Sequence, residues 1–267
     1  MNWLLSPDLA FRLVLGMQAI CIGLVTAELL YCGELTAPHS FHSLSHLAYS
    51  GRLSTLIAKW RPIIPICLYS RLLASLWLIA AVFFNYTILG PLLLICVSTA
   101  LIAVFRIIGS NGAEQMCLIT IIAAVLTVVA GNTSAHRNVF LMFVAGQSAL
   151  SYFTSGIAKL ISPVWRSGQA ISKVAATPSY GAPWFYRITA RSSFIGYALC
   201  WSTILFEILF PTALLGIEKL SLVLMTMGIA FHLGCAVIMG FNDFVWAFVG
   251  TYPAVFYVSR QIGAAIW

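Results

Sequence analysis

Apolar residues run in long blocks along this chain, separated by short clusters of polar residues, prolines and glycines. Crossing a ~30 Å hydrocarbon layer takes about 20 residues at a 1.5 Å rise. Blocks of that size lie at roughly 10–32, 63–84, 88–108, 113–131, 139–161, 194–216, 219–240 and 244–262. They predict about eight transmembrane helices. Lipid offers the backbone no hydrogen-bond partner, so only helices or closed barrels can span it, and these blocks are too long and too uniformly apolar for barrel strands. The predicted fold is all-α, a polytopic membrane bundle forming one domain over residues 1–267. Two stretches, near 33–62 and 162–193, mix aromatic residues, prolines and cations as interfacial or re-entrant segments do.

Composition sharpens this picture. Hydrophobic residues make up 61% of the chain and charged residues only 8%, against roughly 25% charged in a soluble domain. A soluble globular protein is thereby excluded. The first block lacks a basic leader and a small-residue cleavage site, so it reads as a retained anchor. The seven cysteines lie mostly inside apolar blocks and form no Cys-x-x-Cys, which argues against a disulfide framework or a zinc ribbon. The net charge of +7 comes from cations in loops and at block ends, where anionic lipid and membrane orientation account for them, and nucleic acid is not an expected partner. With eight spans, more of these cations fall on the side opposite both termini, which would then face away from the cytoplasm. No internal repeat is visible, which counts against the inverted-repeat transporters.

Polar side chains inside apolar blocks carry the candidate chemistry. Tyr152, Ser155, Gly156 and Lys159 follow at i, i+3, i+4 and i+7, so a helix places them on one face near the end of the fifth block. Lys159 has two readings: a cation that snorkels to the interface beside Trp165, or a base or anion-binding lysine buried in a pocket. Glu207, in the middle of its block and four residues before Pro211, is costly to expose to lipid and should face protein near a cation or histidine, with Lys159 and His232 the candidates. His232 is similarly deep, as a structural histidine or as part of a site. Glu28, Arg71, Arg106 and Glu114 read as interfacial charges or inter-helix ion pairs. His39, His42 and His46 share a helical face and could suit zinc or copper, but they are mainly expected to belong to a solvated interfacial helix, and no metal site is assigned. Phosphate loops, nucleophile elbows and zinc-protease helices are absent from the sequence.

The segment "YFTSGIAKL" with the tryptophan and glycine that follow it (Tyr152 to Gly168), then "FE" before a proline (Phe206 to Pro211), then "FH" (Phe231–His232), resembles the membrane domain of vitamin K-dependent gamma-carboxylase and its bacterial relatives, the HTTM proteins. The opening helix "SPDLAFRLVLGMQAI" and "SNGAEQMCLITI" at Ser110–Ile121 are weaker echoes of the same family. The resemblance follows the whole chain in segment order, though only the 152–168 motif is specific. It implies that Lys159 is the base that deprotonates a reduced quinone, a vitamin K hydroquinone-like cofactor, in an oxygen-dependent epoxidation that drives carboxylation. The residues together predict a cavity bounded by the fifth, sixth and seventh blocks, with Glu207 and His232 as catalytic polar partners of Lys159, Tyr152 as a hydrogen-bonding neighbour, and Trp165 and Arg166 at its mouth. The large extramembrane domain of the carboxylases has no counterpart after about residue 262, which leaves protein glutamate carboxylation in doubt. Shorter relatives, bacterial membrane proteins that mature a sporulation-delaying toxin, imply instead peptide processing or export with partner proteins. The expected location is the cell membrane and the expected partners are membrane lipid and a quinone-like small molecule or peptide. A non-enzymatic transporter or export partner is the alternative, its charged residues lining a pathway.

Overall fold

The computed structural model describes residues 6–33, 35, 62–105 and 110–266, and every regular element among them is helical. The histidines 39, 42 and 46 and most of the 33–62 segment lie outside the described residues. Helix α1 (Pro7–Cys32) starts where the Ser6 hydroxyl accepts the Leu9 backbone N–H at 3.1 Å, with Pro7 at a position that has no N–H to lose. Helix α2 (Ile63–Phe84) is stopped by Asn85 in the left-handed region at φ 61, and α3 (Leu89–Phe105) follows directly. Helix α4 (Gly112–Val129) opens with a capping box in which Asn111 and Glu114 satisfy each other's backbone N–H groups. That pairing accounts for Glu114 as a helix-start residue.

Helix α5 (Ser134–Ile161) leads into three short helices, α6 (Pro163–Arg166), α7 (Ala170–Ala175) and α8 (Pro183–Arg191). Helix α9 (Ser193–Leu209) begins at the Ser192 hydroxyl cap and tightens into a 3-10 turn, Phe210–Leu214, where Pro211 removes a backbone donor. Helix α10 (Glu218–Met239) ends on Gly240 at φ 75, a position glycine occupies without strain. The last block is interrupted: a helical turn Asn242–Phe244 runs into a π-helical stretch, Val245–Val249, before α11 (Tyr252–Ile266).

Five helical segments, Pro7–Cys32, Ile63–Phe84, Gly112–Val129, Ser193–Leu214 and Glu218–Met239, are long and apolar enough to cross a membrane. The protein is therefore helical and membrane-like in character. Of the remaining predicted blocks, α3 is apolar but only 17 residues long, and α5 is long but carries His136, Arg137 and Asn138 near its start.

The chain forms two compact units, one of residues 1–14 and 137–267, the other of residues 15–136. Within the 15–136 unit, Leu29, Leu35, Ile64, Cys67, Leu68 and Ile102 form a buried cluster. Arg71 is 4% exposed, and its Nε donates to the Thr26 hydroxyl at 2.8 Å, so it is an interior cation and not the interfacial one its position suggests. Within the other unit, Asp8 pairs with Arg12 at 2.8 Å and with Arg137, and Phe11 meets Phe140 edge-on. Hydroxyl pairs also join its helices, Ser148 with Thr251 at 2.9 Å and Ser221 with Ser259 at 2.7 Å. Such pairs satisfy polar groups that have no water to turn to inside an apolar bundle.

Candidate functional site

Helical periodicity on α5 sets the first half of the site. Tyr152, Gly156 and Lys159 fall on one face, and the glycine lets that face approach α9 closely. A Cβ at Gly156 would lie 2.8 Å from Ile208 Cγ1, 2.9 Å from the Ile208 backbone nitrogen and 3.0 Å from Glu207 Cβ. No larger residue fits without moving the helices apart. The approach places Lys159 Nζ 2.8 Å from both Glu207 Oε1 and Oε2. Lys159 also donates to the Ser155 hydroxyl at 2.7 Å and lies 5.2 Å from the centre of the Trp165 ring.

The Glu207 side chain is 4% exposed and the Lys159 side chain 18%. An isolated charge in such surroundings would be far more expensive than a paired one. Each residue is therefore the condition for the other's burial. The pair also has a simple chemistry, because moving one proton from the ammonium to the carboxylate gives a neutral amine and a neutral acid without changing the net charge. A ligand that expels water would favour that neutral form, and the neutral amine is the form that can accept a proton.

His232 enters from α10. Its Nε2 is 2.6 Å from the Tyr152 hydroxyl, and that hydroxyl is 2.8 Å from the hydroxyl of Tyr252 at the start of α11. Room for Tyr252 comes from Gly228, one turn before His232, because a Cβ there would overlap the Tyr252 hydroxyl oxygen. The imidazole lies nearly parallel to Phe248, with ring centres 5.1 Å apart and planes inclined by 13°, and Phe244 continues the stack at 5.7 Å from Phe248. The His232 Nδ1 atom is buried and has no hydrogen-bond partner among the described residues.

Lys159, Glu207, Tyr152 and His232 line a cavity of about 610 Å³, inside the ~300–1,000 Å³ range usual for small-molecule sites. Ser155, Lys159, Glu207, Tyr152 and His232 supply polar wall, while Phe206, Phe231, Phe244, Phe248, Met227 and Ile238 supply much of the apolar wall. A smaller cavity of about 120 Å³ beside Arg71 and Glu114 in the other unit holds on the order of a few waters.

Comparison of the chain with protein-family models, with curated proteins and with solved structures found no match. The site must be judged on its own geometry.

Five of the six site residues expected from the sequence share this cavity: Lys159, Glu207, His232, Tyr152 and Trp165. The sixth, Arg166, does not line it; its side chain is exposed, and its backbone carbonyl accepts the Trp201 indole N–H at 3.2 Å. Glu207 finds Lys159, as its cost of exposure demanded, whereas His232 binds Tyr152. Sequence reasoning missed Tyr252 and the Phe244–Phe248 stack. A hydroxyl in an otherwise apolar block was the available signal for Tyr252, but tyrosines near block ends are too common to single one out. Among the described residues, no group of three or more histidine, cysteine or acidic side chains could hold a metal ion.

Proposed function

We propose that this chain is an integral protein of the cell membrane, with about eight spans, that binds a quinone-like or other amphipathic molecule in the cavity and belongs with the HTTM proteins. In this reading α3, α5 and the interrupted last segment join the five long apolar helices in crossing the bilayer, and α6 to α8 lie along its surface. The observation that carries the proposal is the buried Lys159–Glu207 pair at one wall of a largely apolar cavity. A flat head group with polar edges and a hydrocarbon tail matches that division of surfaces.

Lys159 serves as the base or anion anchor, working through proton exchange with Glu207. His232 meets the polar edge of the head group with Tyr152 as its hydrogen-bonding neighbour, and Trp165 covers the Lys159 ammonium. The chemistry is of the oxidation or carboxylation type, or a step of peptide maturation alongside partner proteins, with a reduced quinone as cofactor.

One observation favours a second reading, a non-enzymatic transporter or export partner. The Lys159 ammonium already has three acceptor atoms, Ser155 Oγ and both Glu207 oxygens, and an engaged cation suits a binding pathway as well as a base. Mass spectrometry of small molecules retained by the purified protein tests the proposal. A co-purifying quinone with oxygen uptake supports the enzyme; substrate flux in liposomes without chemical change supports transport; an empty cavity with silent mutants at Lys159 and Glu207 rejects both.

A further inference from the structure

We propose that His232 is a second, independent ligand contact in this cavity: a neutral N–H donor, fixed in orientation by the chain Tyr252–Tyr152–His232, that takes an acceptor oxygen of carbonyl type. The inference rests on the reading of the cavity as a site for a quinone-like amphipathic molecule. It adds which edge of that molecule is recognised and by which protein group.

The Tyr252 hydroxyl has one hydrogen-bond partner among the described residues, the Tyr152 hydroxyl at 2.8 Å. Tyr252 is 5% exposed, so its proton has nowhere to go but to the Tyr152 oxygen, since a buried donor left unmet is penalised. Tyr152, 3% exposed, thereby accepts from Tyr252 and sends its own proton to His232 Nε2 across 2.6 Å. That nitrogen must then offer a lone pair. A neutral imidazole carries one N–H, so the proton sits on Nδ1.

The reverse arrangement has His232 Nε2 donating to Tyr152 and Tyr152 donating to Tyr252. It strands the Tyr252 proton in an apolar pocket beside Phe210, whose ring centre lies 5.7 Å away. It leaves both the Tyr252 proton and the Nδ1 lone pair without a partner, and is the costlier of the two. The favoured arrangement leaves one group unmet, the Nδ1–H, and it belongs to a residue that is 2% exposed and lines the cavity. A buried donor retained at a cavity wall is satisfied when an acceptor arrives. Phe248, nearly parallel to the imidazole at 5.1 Å, limits rotation of the ring. Tyr152 and Tyr252 are positioning residues in this scheme, acting through the tautomer of His232.

The test uses the full chain in lipid nanodiscs. Nitrogen-15 NMR of labelled histidine, with His232 identified by its loss in His232→Gln, reads the tautomer directly, and Nδ1 should carry the proton in the wild type. Tyr152→Phe, which removes the partner of Nε2, should abolish that preference. Binding is measured with a prenylated 1,4-naphthoquinone and with the same skeleton lacking both oxygens. Gln at this position can still reach Tyr152 but places nothing at Nδ1, so His232→Gln should weaken the quinone about tenfold, the worth of one well-made hydrogen bond. The oxygen-free analogue should bind wild type and variant alike, showing that the cavity is intact. A proton on Nε2 in the wild type overturns the proposal, as does undiminished quinone affinity in both His232→Gln and His232→Leu. Failure of the wild type to bind the quinone overturns the ligand reading, and this inference with it; unchanged affinity in the variants overturns the inference alone.

Discussion

Lys159 Nζ lies 2.8 Å from each carboxylate oxygen of Glu207, across a close contact between two helices that has no room for a side chain at Gly156. Neither charge is tolerable without the other. Removing one partner of a buried pair strands a charge and typically costs about 3–5 kcal/mol, whereas exchanging both for apolar residues of similar volume is often neutral. Lys159→Met and Glu207→Leu should each lower thermal stability in detergent by that order, and the double variant should recover most of the loss. If the two single losses simply add in the double variant, the pair is not coupled as the geometry requires.

Lys159→Arg separates structure from chemistry at the same position. A guanidinium can face a carboxylate with two parallel N–H groups, so the arginine variant should insert and keep its thermal stability within about 1 kcal/mol of the wild type. It cannot give up its proton, its pKa lying above ~12. Loss of cellular function with stability retained is the expected outcome. A fully active arginine variant would reject proton abstraction by Lys159 and leave an anchoring role.

How far the sequence reveals this molecule can be judged from particular residues. Blocks of apolar residues locate α2, α4, α9 with its 3-10 turn, and α10 to within a few positions, because an uninterrupted hydrophobic run of that length has few other solutions. The face shared by Tyr152, Gly156 and Lys159 was legible from helical spacing, and the need of Glu207 for a partner from the price of an unpaired charge in lipid. Arg71 looks like an end charge in the sequence because its neighbours say nothing about Thr26, 45 residues away. Tyr252 reaches a hydroxyl 100 residues earlier, and the space it fills exists because residue 228 is glycine. Contacts set by three helices meeting have no local signature, and the break in the last block at Val245–Val249 is a packing outcome that hydropathy cannot register.

Arg71 gives a prediction for the 15–136 unit. Its Nε donates to Thr26 Oγ1 at 2.8 Å, and that hydroxyl in turn donates to the Ile22 carbonyl at 2.5 Å. Thr26→Val keeps the shape and removes the acceptor, leaving part of a buried cation unmet, and hydrogen bonds to charged groups are worth about 1.5–3 kcal/mol. The variant should lose stability of that size, while Thr26→Ser, which restores the oxygen, should lose less than half as much. Equal losses in the two would show that packing of the methyl group, and not the hydrogen bond, is what Thr26 contributes.

Gly228 and Tyr252 are predicted to be coupled. A Cβ at residue 228 would overlap the Tyr252 hydroxyl oxygen and stand 2.9 Å from Tyr252 Cζ and 3.2 Å from Phe206 Cζ, so the two elements must yield. Forcing a methyl group into a packed core costs about 1–3 kcal/mol. Gly228→Ala should therefore destabilise the protein by that order, even though alanine is the better helix former by up to about 1 kcal/mol. Tyr252→Phe removes the oxygen that the methyl group meets first, so in that background Gly228→Ala should cost measurably less, with Cζ and Phe206 keeping the relief incomplete. The expected double-mutant coupling is at least 0.5 kcal/mol, the level at which neighbouring residues depart from additivity. Thermal unfolding of the four proteins in one detergent measures it. Additive losses would mean that the tyrosine hydroxyl does not occupy the space beside Gly228, and the route by which Tyr252 reaches Tyr152 and His232 would have to be abandoned.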